Sequence, residues 1–287
     1  MITAKVSGDN SGILSYLGSI GEAVSRSCCR LSDIYEIRIR AGRGVVLETV
    51  KGRTALDIAV SADDTEECIK NFCQHSFHSF EKELREGFIT LKGGHRVGFC
   101  GTAVVKNGRL DGVKNISCIN IRIAREVIGA GESLKDTVFE KDFKGLLICG
   151  RPMSGKTTVL RDLCRIIGNR HKLALIDERG EMAAIFQGIP QNNVGAFTDV
   201  LDGYDKENGI EIATRTLSPE YIVCDEITGF SDFERLCLNS GVKLIFTIHS
   251  GSIEQAKNTD AVKSGAISHI ASLGGKIGQV TERAVIK

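Results

Sequence analysis

Four short stretches of this sequence hold the residue types that phosphate chemistry requires. The most specific is Gly150-Arg151-Pro152-Met153-Ser154-Gly155-Lys156-Thr157-Thr158, which fits G-x-x-x-x-G-K-[ST]. Glycines let such a loop curl until its backbone N–H groups face phosphate oxygens. A helix starting at the same place offers its positive end to the same anion. Lys156 is expected to bridge the β- and γ-phosphates, and the Thr157 hydroxyl to ligate Mg²⁺. Lys156 is also expected to be exposed in its loop, so that Lys156→Ala would cost little packing.

The second stretch is Tyr221-Ile222-Val223-Cys224-Asp225-Glu226, an apolar run that ends in two acids. It has the Walker B pattern, with Asp225 as Mg²⁺ ligand and Glu226 as the group that polarises the attacking water. The third, Leu175-Ile176-Asp177-Glu178-Arg179-Gly180-Glu181, offers Glu178 as a rival base and Arg179 as an ion-pair partner of the acids around it. The fourth, Phe246-Thr247-Ile248-His249-Ser250, brings Thr247 and His249 to a strand end, where a γ-phosphate sensor would sit. Together these stretches predict an ATP hydrolase that uses Mg²⁺.

Such residues converge only if a parallel sheet carries them, because parallel sheets bind ligands at the carboxyl ends of their strands. The pattern supplies the parts. Residues 145–149, 172–177, 221–226 and 243–249 read as buried strands, and residues 156–168 as the helix after the loop. Strands alternating with helices predict an α/β domain over residues 145–287, with 277–280 and 283–287 as a closing hairpin. Residues 1–128 read differently. Short β-like runs at 34–41, 44–50, 53–60, 88–91, 95–105 and 113–124 surround a helix that starts at Ser61, followed by Asp63 and Asp64. This is a smaller α+β domain, and residues 129–144 read as a linker with a short helix.

The small domain carries Arg38, Arg40, Arg96, Arg122 and Arg125 at strand-like positions. Residues i and i+2 of a strand share a face, so Arg38 and Arg40 project together. Two readings stay open: a solvated β face, or arginine fingers that reach the nucleotide of a neighbouring subunit.

Composition limits the alternatives. The 287 residues suit one or two domains, and a net charge of +1 gives no overall field for nucleic acid or anionic lipid. No apolar run reaches the roughly 18 residues of a membrane span, and the N-terminus lacks a leader pattern, so a protein kept inside the cell is expected. The ten cysteines form no C-x-x-C pair, and Cys149 and Cys224 lie in apolar runs; buried reduced thiols are expected. Cys73, His75 and His78 match no standard zinc spacing. A nucleic-acid-dependent ATPase of RecA-like fold and a nucleotide-binding assembly scaffold are the alternative functions. The absence of any RNA- or DNA-binding signature weighs against the first, and the intact Lys156, Thr157, Asp225 and Glu226 against the second.

The series as a whole resembles the stage III sporulation protein AA family. The matching stretches are EIRIRAGR (36–43), GFITLKGGHRVGFCG (87–101), NIRIAREV (120–127), GRPMSGKTTVLRDLCR (150–165), IDERGE (176–181), GIPQNNVGAFTDVLDG (188–203) and SPEYIVCDEITG (218–229). The resemblance implies a RecA-like ATPase related to the motors of type II and type IV secretion and pilus systems. It further implies a hexameric ring with nucleotide at subunit interfaces. The ring would work on membrane channel proteins of the sporulation apparatus, at the mother-cell face of the forespore membrane. Arg151 departs from the proline common in such loops, and Phe197 from an expected arginine.

Overall fold

A computed structural model of the chain describes residues 3–6, 11–226, 241–276 and 278–286. Its contacts divide the chain into two units. The smaller comprises Val6–Glu126 and Ala184–Gln191; the larger comprises Val127–Ala183 and Asn192–Lys287 together with Met1–Lys5.

In the smaller unit, alternation of apolar and polar residues builds an antiparallel sheet. Its strands are β1 (Ile34–Arg40), β2 (Gly44–Thr49), β3 (Gly52–Leu56), β4 (Phe88–Thr90), β5 (Arg96–Lys106) and β6 (Arg109–Arg122), in the order β3-β2-β1-β6-β5-β4. Ile37 and Ile39 of β1, Leu47 of β2, and Ile119 and Ile121 of β6 are buried. Helices α1 (Gly18–Arg26) and α2 (Ala62–Phe72) complete this core with Ile20, Val24, Cys68, Ile69 and Phe72. A capping box starts α2: the Ser61 hydroxyl accepts from the Asp64 N–H, and the Asp64 carboxylate accepts from the Ser61 N–H.

The other side-chain set of the sheet is polar and arranged in rows. Glu36, Arg122 and Arg96 stand opposite one another across β1, β6 and β5. Arg38, Asn120 and Gly98 make the next row, and Arg40, Cys118 and Cys100 the one after. Past Cys100 the register shifts, and β5 and β6 run on as an exposed ribbon. Gly101 permits this shift, since a Cβ there would lie 2.5 Å from the Asn115 carbonyl oxygen.

In the larger unit, fully buried apolar runs form a parallel sheet. Its elements are β7 (Gly145–Gly150), α3 (Lys156–Gly168), β8 (Leu173–Asp177), β9 (Thr198–Asp202), α4 (Lys206–Ile212), β10 (Tyr221–Cys224), β11 (Lys243–His249), β12 (His269–Leu273) and β13 (Val280–Val285). The strand order is β9-β8-β10-β11-β7-β12-β13, with only β13 antiparallel to its neighbour. Strand β9 was not anticipated by pattern, and the closing hairpin pairs β12 with β13 rather than residues 277–280 with 283–287. Residues 129–144, read as a linker, are part of this unit. Asp162 of α3 accepts from the N–H groups of Gly129 and Gly131, at 2.9 and 2.8 Å, and the Tyr221 hydroxyl donates to the Val138 carbonyl at 2.9 Å.

One buried histidine gives the smaller unit a pH dependence. His95 is 1% exposed, and its Nδ1 accepts from the Ala124 N–H at 3.1 Å. Burial pushes its pKa down from 6.5 to about 4. The unfolded chain therefore takes up this proton first as the solution is acidified. The stability contributed by neutral His95 is complete above pH 6.5 and declines as the pH falls toward 4, by up to about 3 kcal/mol. Denaturant unfolding between pH 7 and pH 4 measures the decline, and His95→Gln is expected to flatten it.

Candidate active site

The carboxyl ends of β7, β8, β10 and β11 bring four of the predicted stretches together. Register places them: Ile176 pairs with Cys224, Cys224 with Phe246, and His249 with Gly150. The residues after Ile176, Cys224 and Phe246 are Asp177, Asp225 and Thr247, so three polar groups emerge side by side.

Asp225 is held by two hydroxyls. Thr157 Oγ1 donates to its Oδ2 at 2.8 Å, and Thr247 Oγ1 donates to its Oδ1 at 2.7 Å. The Thr247 hydroxyl also accepts from the Glu226 N–H at 3.1 Å, so one fully buried side chain fixes both acids of the Walker B stretch. Thr247 was expected as a phosphate sensor; its geometry makes it a positioning residue.

Lys156 differs from expectation. It is the first residue of α3 and only 6% exposed, because the loop folds over it. Its ammonium donates to the carbonyls of Gly150 and Arg151 at 3.0 and 3.1 Å, and lies 3.1 Å from His249 Nδ1. Burial pulls its pKa down, while Asp225 and Glu226 counter by favouring the charged form. An ammonium only donates, so His249 Nδ1 accepts and the ring proton resides on Nε2. Nε2 lies 3.3 Å from Glu226 Oε1. The result is a continuous line from Lys156 through His249 to Glu226.

Glu226 also faces Arg179, at 3.6 Å from its other carboxylate oxygen. The rival base, Glu178, is exposed and lies 3.7 Å from Lys206 Nζ of α4; it lines the same small cavity as Asp225 and Glu226. Asp177, which pattern alone gave no separate role, shapes the turn that carries both Glu178 and Arg179. Its carboxylate accepts from the N–H groups of Glu181, Met182 and Ala183, at 3.0, 3.0 and 2.8 Å. Burial raises its pKa, and these three N–H groups oppose the rise.

In the loop, the side chains of Arg151, Pro152 and Met153 are exposed, and Met153 and Gly155 have φ of +63° and +88°. Ser154 Oγ is buried without a hydrogen-bond partner among the described residues, and a Cβ at Gly150 would lie 2.5 Å from it. A buried donor with no acceptor, a buried ammonium and a helix start fit a phosphate chain. Thr157 and Asp225, oxygen ligands in contact, fit Mg²⁺; Thr158 follows Thr157 in the first turn of α3.

The five arginines belong to the smaller unit. Arg38 and Arg122 both pair with Glu36, the second at 3.9 Å. The guanidinium of Arg96 lies 4.0 Å over the Phe88 ring. Arg125 is committed within its own unit: it donates to the carbonyls of Ser32 and Ile34 at 2.9 and 3.1 Å, and lies 4.0 Å over the Tyr35 ring.

Residues 11–271 match the family described as sporulation stage III, protein AA. The chain is 36% identical to the stage III sporulation protein AA of Bacillus subtilis (strain 168) over 239 residues, 80% of this chain and 78% of that protein. This chain belongs to the sporulation stage III protein AA family. Among solved structures, the pilus retraction motor PilT with bound ADP is similar at a TM-score of 0.58 and 15% identity, over 93% of this chain and 81% of PilT. The ATPase DotB of Legionella pneumophila is similar at 0.50 and 12% identity, over 91% and 74%. The family member described here thus has a RecA-like P-loop fold, shared with PilT and DotB. Among its described residues, no helix is long and apolar enough to cross a membrane.

Thr247→Val keeps the side-chain shape and removes both hydrogen bonds of the hydroxyl. The Asp225 Oδ1 and the Glu226 N–H still bond to each other at 3.0 Å, so the loss is expected to cost about 0.5–1.5 kcal/mol in unfolding free energy. Thr247→Ser is expected to retain most of it. Urea unfolding of the three proteins measures the difference.

Proposed function

We propose that this chain is a Mg²⁺-dependent ATP hydrolase and the motor of a sporulation channel. The observation that carries the reading is the line of contacts Lys156–His249–Glu226, a hydrogen bond at its first step and a 3.3 Å approach at its second, beside the Thr157–Asp225 pair. An ammonium held, among the described residues, by two loop carbonyls and a histidine can exchange them for phosphate oxygens. When it does, His249 loses the donor at Nδ1 and its ring is free to turn the Nε2–H toward the γ-phosphate, while Glu226 takes the proton of the attacking water. Thr157 and Asp225 would hold Mg²⁺, which would offset the charge of the phosphates. Arg179 lies opposite Glu226 and helps to orient that carboxylate.

In this reading, copies assemble into a hexameric ring, and arginines of a neighbouring sheet approach the nucleotide. Arg38, Arg40, Arg96 and Arg122 are the stronger candidates; Arg125 is the weakest, since backbone carbonyls and Tyr35 already hold it. The ring would act on membrane channel proteins at the mother-cell face of the forespore membrane. Family membership supports this setting.

Steady-state ATP hydrolysis against protein concentration, with and without Mg²⁺, tests the reading. Specific activity is expected to rise with concentration and to vanish in Lys156→Ala. Because Lys156 is buried, that variant is compared by circular dichroism and by Lys156→Met, which keeps the apolar stem. Glu226→Gln is expected to bind ATP and to lower turnover about 10²–10⁴-fold. Normal turnover in folded Lys156 variants refutes the reading, and loss of turnover in Glu178→Gln alone moves the base to Glu178.

A further inference from the structure

We propose that Cys100 and Cys118 are a reversible dithiol/disulfide pair, oxidised by a small-molecule disulfide of the glutathione type. The pair lies outside the nucleotide site and does not depend on the function proposed above.

The geometry comes from register. Cys100 of β5 and Cys118 of β6 stand directly opposite each other in an antiparallel pair. Directly opposed residues have Cα atoms about 4.5–5.5 Å apart, which falls within the range a disulfide spans. The register shift at Gly101, immediately after Cys100, interrupts the regular ladder beside the pair, where the strands can adjust to a new bond.

Accessibility separates this pair from other thiols of the chain. Cys68, Cys73, Cys149, Cys164 and Cys224 are buried, while Cys100 is exposed and Cys118 half-buried. Burial pushes the Cys68 thiol up to about 12 and Cys73 to about 11, which keeps them protonated and inert. At Cys100, burial and the Cys118 thiol raise the pKa, and the Arg40 guanidinium opposes them. Arg40 stands in the same cross-strand row and lines the same shallow cleft with Arg38 and Asn120. A cationic rim suits a disulfide that carries carboxylates, as oxidised glutathione does. Cys28 and Cys29 are the other accessible thiols among the described residues, but they adjoin in sequence.

The exchange balances. The Cys100 thiolate attacks one sulfur of the small disulfide, the S–S bond breaks, and the first small thiolate leaves and takes up the proton lost by Cys100. The Cys118 thiolate then attacks the Cys100 sulfur, expels the second small thiolate and passes its proton to it. Two protein thiols lose two electrons, and one small disulfide becomes two thiols. The bond clamps β5 to β6 at the root of the exposed ribbon.

The full chain is incubated in buffers of reduced and oxidised glutathione, quenched with acid, alkylated and digested with trypsin without reduction. Cleavage after Arg96, Lys106, Lys114 and Arg122 leaves Cys100 in peptide 97–106 and Cys118 in peptide 115–122, so only a disulfide keeps the two together. The expected result is the linked peptide pair, a loss of two alkylatable thiols, and reversal by excess reduced glutathione. Cys118→Ser is expected to lose the linked pair and to accumulate glutathione on Cys100. Glutathione that stays on Cys100 in the unmodified sequence, linkage only through Cys28, Cys29 or Cys237, or no linkage under fully oxidising buffer overturns the proposal.

Discussion

A carboxylate half-withdrawn from water at the end of a parallel strand needs donors for its oxygens, and Asp225 finds them in two hydroxyls and the Glu226 N–H. Much of the site's order depends on this. Thr157 ties the start of α3 to β10, and Thr247 ties β11 to β10 while also holding the backbone of Glu226. With those elements fixed, His249 falls beside Gly150 by register alone, within reach of Lys156 on one ring nitrogen and Glu226 on the other. Among the described residues no cation is in direct contact with Asp225, which suits an oxygen site for a hard divalent ion.

The parts of the core legible in sequence were those where a single physical rule dominates. Strands β7, β8, β10 and β11 are buried on both faces, so they read as unbroken apolar runs. Strand β9 lies at the sheet edge, and its Thr198, Asp199 and Asp202 break the run. Strand β12 is short, and His269 and Ser272 disguise it. The burial of Lys156 was not legible, because a glycine-rich loop reads as exposed whether or not it folds over its own lysine. The choice between Glu178 and Glu226 was likewise open in sequence: both follow an aspartate at a strand end, and only the partners, Lys206 for one and His249 for the other, separate them.

The smaller unit shows the same contrast. Its period-two pattern foretold the apolar face of β1 and the shared face of Arg38 and Arg40. Pattern could not tell that Glu36 would gather Arg38 and Arg122, or that Arg125 would bind carbonyls, since those partners come from pairing between distant strands. The opposition of Cys100 and Cys118 is of this kind too. Eighteen positions apart in sequence, they meet only because the ribbon folds back on itself with a shifted register.

The excursion of residues 184–191 into the smaller unit has a consequence for how the chain can be divided. Within that unit, the Gly93 N–H donates to Gln191 Oε1 at 2.7 Å, and Gln187 Nε2 donates to Gln74 Oε1 at 2.8 Å. The chain therefore leaves and re-enters the smaller unit after β8, well past the obvious border near residue 127. Severing it there does not yield two self-sufficient halves. The C-terminal half would carry away a hairpin, Ile185–Phe186 with Ile189–Pro190, that belongs to its former neighbour, and the N-terminal half would be left with the contacts of Gln74 and Gly93 unmet. In this protein the two units are inheritances of one continuous thread rather than beads on it, and a homologous exchange of halves would have to carry both pieces of the smaller unit together.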